Sequence, residues 1–459
     1  MKKLLILLLL LPGLTTFAQP RAATATAREK AARIDGAITG GLSWLAERQV
    51  RKGEDAGSWP AQNNNYSPAV ASLAGLAFLA NGHLPGDDGP YGEVVGSALK
   101  YVMGSMAPDG YVGQGANNGM YIHAITTLFA LSCLGMQADE AVEPELADWC
   151  RRSVEVTLRA QKVAKTRMQQ GGWRYDPYTS QSDISVTCWQ LLVMHSARQA
   201  GFEIEMPVFY RALTYLNGAY APVKSALGAG KTAPKAIDHA FYYPDRSRPG
   251  AKPSRSSSAL VILVQSLLHA ASEQRTAEVL GYLKTFPPSW GGEQYGGYFY
   301  FSSFYMAQGM FQIGGEEWDS FGPQLSELLL EHQAGDGSWP YPSDNAEQAN
   351  LRSTGQAYPV AMAVLMLSLD KQYLPMYQRQ SSLYGSGKAL VVSDGATPED
   401  EPVAEEKTPP DNLSVPLPVP VPEDEPDETE DWEDEGWGDE DDMQDNRPAI
   451  GEPLGGNGN

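Results

Sequence analysis

Cysteine is scarce in this chain: Cys133, Cys150 and Cys188 are the three among 459 residues. Three cannot build a disulfide scaffold, and within one chain at least one stays unpaired. Cys133 and Cys188 fall inside apolar helical runs, where a free thiol behaves as a small hydrophobe. Spacing alone leaves one disulfide open. Positive charge is scarce as well, with 34 Lys and Arg against 56 Asp and Glu and a net charge of −22. No stretch offers the basic face that a nucleic acid requires, so that class of partner is excluded. Beyond the first twenty residues, no apolar run is long enough to cross a bilayer, so no transmembrane segment is expected.

The long apolar run that does exist opens the chain: "MKKLLILLLLLPGLTTFAQP". Two lysines lead it, and the small residues Thr16 and Ala18 stand where a signal peptidase reads. This predicts a secretory signal peptide over residues 1–18, a short linker over 19–30, and export to the periplasm or beyond. No Cys follows Ala18, which argues against a lipid anchor.

The negative charge sits at the other end. From Asp394 onward, 23 acidic residues face only Lys407 and Arg447, so this stretch carries −21 of the total and leaves the rest about −1. It joins a Pro-Val spacer, "VPLPVPVPEDEP", to "DETEDWEDEGWGDEDDMQD". So much charge and so little aliphatic surface cannot offset the entropy of ordering, and residues 381–459 read as a disordered acidic tail. That tail could bind a basic surface, with Trp432 and Trp437 as anchors.

The body, residues 31–380, exceeds an ordinary domain, and repetition explains its length. Six segments are apolar nearly all round, which predicts buried helices. They begin at Ser67 (SPAVASLAGLAFLA), Met120, Ile184, Ser257 (SSALVILVQSLLHA), Phe299 and Thr354. Amphipathic stretches alternate with them, as at Ala37–Val50, Glu145–Val163 and Gly322–Gln333. The expected fold is all-α: six hairpins, outer helix then inner helix, closed into an (α/α)6 toroid. A closed ring lets the inner helices bury one another and needs no capping repeat.

One phrase recurs near both ends of that body. Gln49 is followed by Gly57-Ser58-Trp59-Pro60, and Gln333 by Gly337-Ser338-Trp339-Pro340. Each Gln falls on the last turn of an outer helix, where its amide is expected to satisfy orphan carbonyls and bond the next loop, and each Trp is expected to lie flat over the Gln. Ring closure would make the two phrases neighbours.

"WLAERQ…GSW" and "LLLEHQAGDGSW" resemble the Gln-Trp motif of squalene and terpene cyclases, and the body resembles the prenyltransferase/squalene-cyclase repeat superfamily over roughly 350 residues. Degenerate copies stand at "AQKVAKTRMQQGGWRYDP" and "SWGGEQYGGYF", while "MAPDGYVG" has lost the Trp. The segments following Tyr298 and Ala361 further resemble exported bacterial members with no assigned activity. The resemblance implies an α/α toroid with a central cavity. It also implies chemistry whose residues can be sought one by one. A cyclase of this kind protonates an alkene with an Asp-x-Asp-Asp acid, and the match here, Asp439-Glu440-Asp441-Asp442, lies in the acidic tail. In the body the corresponding helix entrance carries Asp183 without partner acids. A protein prenyltransferase needs zinc on Asp, Cys and His. Asp148-x-Cys150 with His195 or His239 is the nearest set, but it starts on an outer helix read as facing away from the cavity. Neither a metal nor a cofactor is expected.

Polar and aromatic residues gather where each turn enters an inner helix: Asn65 and Tyr66, Tyr121 and His123, Asp183, Arg255, Tyr298 and Tyr300, and Arg352. In a toroid these circle one mouth of the cavity, where they could bind a ligand or perform acid–base work. The expected function is an exported toroid that binds a ligand or partner through its cavity and tail. Two alternatives remain: a cyclase-like enzyme with Asp183 as its acid, and a polysaccharide-cleaving enzyme pairing Asp183 with Asp176 or Asp238. His195 and His269 read as satisfied core or rim histidines. The Gly/Pro-rich insertion Gly218–Ser254 reads as a solvated basic loop.

Overall fold

A computed structural model describes residues 25–61, 63–137, 139, 141–223, 239–244, 251–291, 298–342 and 354–374. The expected signal peptide, the acidic tail with Asp439–Asp442, Asp238, Arg352 and most of the basic insertion lie outside the described residues.

Among the described residues twelve helices follow one another. The inner ones are α2 (Ser67–Leu79), α4 (Gly119–Cys133), α6 (Ile184–Gln199), α8 (Arg255–Leu267), α10 (Phe299–Ile313) and α12 (Ala357–Leu367). The outer ones are α1 (Ala25–Arg48), α3 (Gly92–Gly104), α5 (Glu143–Gln161), α7 (Met206–Gly218), α9 (Glu273–Leu283) and α11 (Gly315–Glu331). Every residue of α2 and of α12 is buried, as all-round apolar sequence requires. Within α2 the Ser72 hydroxyl folds back on the helix, donating to the Pro68 carbonyl. Outer helices bury one stripe. In α5 that stripe runs through Leu146, Trp149, Cys150, Ser153 and Val154, while Arg151 bridges Asp148 and Glu155 on the exposed face.

Closure is visible in which helices touch. Contacts run α2–α4–α6–α8–α10–α12 and return from α12 to α2, so the inner helices form a complete ring. Helices α1, α3, α5 and α11 each lie across two neighbouring inner helices. Over α8 an antiparallel sheet takes part of the outer layer, with β1 (Tyr220–Pro222), β2 (His239–Tyr243) and β3 (Lys252–Ser254) in the order β1-β2-β3. This corrects the reading of the insertion as a loop alone: β1 and β3, near its two ends, both pair with β2, and β2 packs on α8 and α9. A second difference is that α1 begins at Ala25, inside the expected linker. Its early turns have partners on α11, since Lys30 donates to the Pro323 carbonyl and pairs with Glu327, as does Arg33.

The repeated phrase is a clasp. Trp59 Nε1–H donates to the Leu45 carbonyl at 2.8 Å, Trp173 to Thr157 at 2.8 Å, and Trp339 to Leu329 at 2.7 Å. Each acceptor lies four residues before the motif Gln. The Gln amide reaches elsewhere. Gln49 donates to Gly57 (3.2 Å) and to Val94 of α3 (2.8 Å). Gln161 donates to Gly171 and to Val208 of α7, both at 2.9 Å. Gln333 donates to Gly337 (3.0 Å) and to Ala37 of α1 (2.9 Å). The Gln amide thus bonds the following loop, as expected, and also ties its turn to the next outer helix, while the indole rather than the Gln donates to the carbonyl in the last turns of the helix. The third clasp spans the seam between the last repeat and the first. Gly57 (φ 100°) and Gly337 (φ 90°) turn the chain with their α-carbons against the carbonyls of Ser97 and Gly40, where a Cβ would collide. In the second repeat, which has lost its Trp, the following helix holds the turn instead. Arg152 donates to the carbonyls of Ala107 and Pro108, and Trp149 to that of Met103.

Candidate functional site

All inner helices enter from outer-to-inner turns, so their N-terminal ends share one mouth of the ring. Asp183 stands at the entrance to α6 and is fully buried. Its backbone pairs with Trp173, which fixes the approach of the chain. Its Oδ1 accepts from the Val186 N–H at 2.8 Å, a helix cap, and from Ser185 Oγ at 3.0 Å. Ser185 in turn accepts from the Tyr121 hydroxyl of α4 at 2.6 Å. Arg174 lies 3.9 Å from Oδ2 and places its guanidinium 4.5 Å from the centre of the Tyr175 ring. The Tyr175 and Tyr243 hydroxyls meet at 2.8 Å, and the Ile184 N–H donates to the Pro244 carbonyl beside them. Three segments, Tyr121 of α4, residues 173–175 and residues 243–244, thus meet around the entrance to α6.

Capping alone does not explain the charge. Ser254 caps the neighbouring helix α8 in the same way, accepting from the Ser257 N–H. Serine and aspartate cap about equally well, whereas burying a carboxylate costs several kcal/mol even after relaxation. Among the described residues Asp183 is the one fully buried carboxylate, and Arg255, at the first position of α8, is the one fully buried cation. The Arg255 guanidinium lies 4.9 Å from the centre of the Phe286 ring.

Tyr298 and Tyr300 are buried at the entrance to α10. Tyr300 donates to the Pro340 carbonyl at 2.7 Å, joining this entrance to the last clasp. Around it pack Trp290, Phe299, Tyr341 and Tyr358 at ring separations of 5.0 to 6.3 Å. Tyr66 is buried in the 3-10 turn before α2, and its neighbour Asn65 donates to the Gly115 carbonyl at 2.6 Å.

His123 departs from its expected role. Its Nδ1 accepts from the Val112 N–H at 3.3 Å, and its Nε2 lies 3.0 Å from the Ser153 carbonyl of α5, to which it donates. Both nitrogens are committed to joining α4 to the outer layer, and burial lowers the imidazole pKa to about 4. It is a strut, not a mouth ligand. His195 was expected to be satisfied. It is buried, its pKa is lowered to about 4 chiefly by burial, and among the described residues neither ring nitrogen has a hydrogen-bond partner. Cys150 was read as facing away, but it is buried like Cys133 and Cys188, all three being free thiols, while Asp148 turns outward. Asp176 is exposed and accepts from the Tyr178 N–H in a local turn, so it does not face Asp183 as a second buried carboxylate. Among the described residues no group of three or more metal-ligating side chains forms.

Sequence reasoning missed Arg174, Tyr175 and Tyr243. The first two directly follow Trp173 of a degenerate clasp, so the copy itself was a pointer. It also missed Trp189 of α6, whose indole N–H donates to the Tyr305 hydroxyl of α10 at 2.6 Å. Two surface concavities are lined by none of these residues. One, of about 410 Å³, lies between the first clasp turn and α3. The other, of about 320 Å³, lies at the α6–α7 turn.

No protein-family model and no curated protein matches the chain. Solved structures show distant likenesses. A type II terpene cyclase from Scytonema, in complex with its product merosterolic acid A, is 16% identical with a TM-score of 0.43, covering 76% of this chain and 99% of its own. The α-1,6-mannanase GH76A of Salegentibacter sp. HEL1_6 is 11% identical with a TM-score of 0.49, covering 73% and 98%. A family 76 glycoside hydrolase from a bovine Bacteroides thetaiotaomicron strain is 10% identical with a TM-score of 0.48, covering 73% and 77%. Likenesses this distant assign neither substrate nor reaction, and the toroid rests on the chain's own helix contacts.

Proposed function

We propose that the protein is an exported α/α toroid that binds a ligand or protein partner at the mouth formed by the N-terminal ends of its inner helices, with Asp183 as the charged anchor. The observation that carries this reading is the buried charge itself. Asp183 is held by Val186, Ser185 and Arg174 within a group of tyrosines, at a position where the adjacent helix manages with serine. A charge kept at such cost serves recognition better than capping. The tail, at −21, is assigned to a basic surface on the same partner or another.

The cyclase-like alternative has one supporting observation, the aromatic setting of Asp183, but among the described residues no second buried acid stands beside it. The polysaccharide-cleaving alternative needs two carboxylates facing one bond, and Asp176 does not supply the second. Native mass spectrometry of the full exported chain distinguishes these readings. The wild type is expected to retain a bound mass that Asp183→Ser, with cap kept and charge removed, releases while its circular dichroism is unchanged. Retention of the same mass by Asp183→Ser would sink the proposal. Turnover of a polyprenoid by the wild type, abolished in Asp183→Asn, would put the cyclase reading in its place.

A further inference from the structure

The Trp189–Tyr305 hydrogen bond joins two helices that are not neighbours in the ring, because α8 stands between α6 and α10 and touches both. The outer side of α8 is covered by α9 and β2, so the bond passes on the inner side, through the lumen. That fixes which face of α10 looks inward. Residues three apart on a helix share a face, so Gln308 looks into the same space one turn further from the mouth. Gln308 is 1% exposed, and among the described residues neither its amide oxygen nor its amide nitrogen has a hydrogen-bond partner. Other buried glutamines behave differently. Gln49 and Gln161 serve the clasps, and Gln190 accepts from Thr157 and donates to the Met120 carbonyl. A buried side-chain amide is ordinarily bonded, so one with both ends open calls for a partner outside the protein chain.

We propose that Gln308 anchors a binding compartment inside the toroid, beyond the Trp189–Tyr305 bond and separate from the Asp183 mouth, and that its ligand is a small neutral molecule with an amide or lactam edge. Neutrality follows from the surroundings. The one fully buried carboxylate and the one fully buried cation among the described residues both stand at helix entrances, so a charged ligand here would lack a counter-charge. The amide edge follows from the side chain. A carbonyl oxygen and an amino group side by side match a ligand that presents donor and acceptor side by side, giving two parallel hydrogen bonds. Phe304, one turn before Gln308 and with its ring 5.7 Å from that of Tyr305, suits a ligand whose remaining surface is hydrocarbon.

The test uses 2-pyrrolidone, a lactam, against cyclopentanone, which has the same ring but only an acceptor. Thermal denaturation of the full chain is expected to shift upward with 2-pyrrolidone in a saturable way, and several-fold less with cyclopentanone. Gln308→Leu and Gln308→Met, two variants in case one folds poorly, are expected to lose the lactam-specific shift. Asp183→Ser is expected to keep it, so failure of the mouth reading and failure of this one are distinguishable. An absent shift in the wild type, or an equal shift in both Gln308 variants, would overturn the proposal and leave the amide as the site of an ordered water alone.

Discussion

Asp183 and Ser254 do the same capping job on adjacent helices, so exchanging one residue for the other isolates the charge. Asp183→Ala, which removes the cap, is expected to cost about 1–2 kcal/mol. Asp183→Ser is expected to melt close to the wild type, and paired denaturation curves check both. Two buried histidines give the fold an acid sensitivity whose sign follows from linkage. His123 and His195 have folded pKa values lowered to about 4, below the 6.5 of an unhindered imidazole. Between those values the unfolded chain binds protons that the folded one refuses, so stability is full above about pH 6.5 and falls as pH drops toward 4. Each group contributes on the order of 3 kcal/mol to that loss. His195→Leu, which removes an imidazole without a hydrogen-bond partner among the described residues, is expected to flatten the decline between pH 6.5 and 4 in a series of thermal melts.

At the scale of elements the clasp is the unit that repeats, and its parts are separable. Trp173→Phe removes the indole donor from the Thr157 carbonyl, and Gln161→Ala breaks two hydrogen bonds at once. About 1–3 kcal/mol is expected for each, read by chemical denaturation. Gly337→Ala is expected to cost at least as much, because a Cβ would strike the Gly40 carbonyl and the residue would be held at positive φ. How legible these elements were depended on the kind of signal. All-round apolarity located the inner helices within a few residues, since burial on every side leaves no polar face to mistake. The Gln-Trp spacing located the clasps but not their wiring, because both side chains can donate to a helix-end carbonyl and only geometry decides which does. The sheet went unread because β1 and β3 are three residues long, too short for an alternating pattern to stand out.

Over the whole molecule, ring closure lets six hairpins share one core, and the seam shows how closure is achieved. Helix α1 carries Gly40 and Gly41 in mid-helix, a pair that costs helix stability of about 1 kcal/mol each. At Gly41 the missing side chain makes room for the Trp339 ring and Val364, and Gln333 reaches past Gly40 to Ala37. Trp44 also donates to Asp336 at 3.0 Å. The exposed pairs at this seam, Lys30 and Arg33 with Glu327 and Arg48 with Asp336, should add little. Gln333→Ala is therefore expected to speed amide hydrogen exchange in α1 and α11 while leaving α5 and α6 protected. Raising salt from 0.1 to 1 M is expected to leave exchange at the seam nearly unchanged. The mouth was only partly legible at this scale. A sequence shows which residues stand at helix entrances, but Tyr121 and His123, two positions apart, part company because one reaches across to Ser185 of α6 and the other outward to α5.

The Lys371 ammonium just after α12 lies 3.3 Å from the Asp35 carboxylate of α1, so the chain leaves the ring where it entered. A closed loop has no privileged starting point. Joining residue 374 to residue 25 through a short flexible linker and cutting anew between α4 and α5 would give a circular permutant. That permutant should fold to the same architecture, with the order of its hairpins rotated.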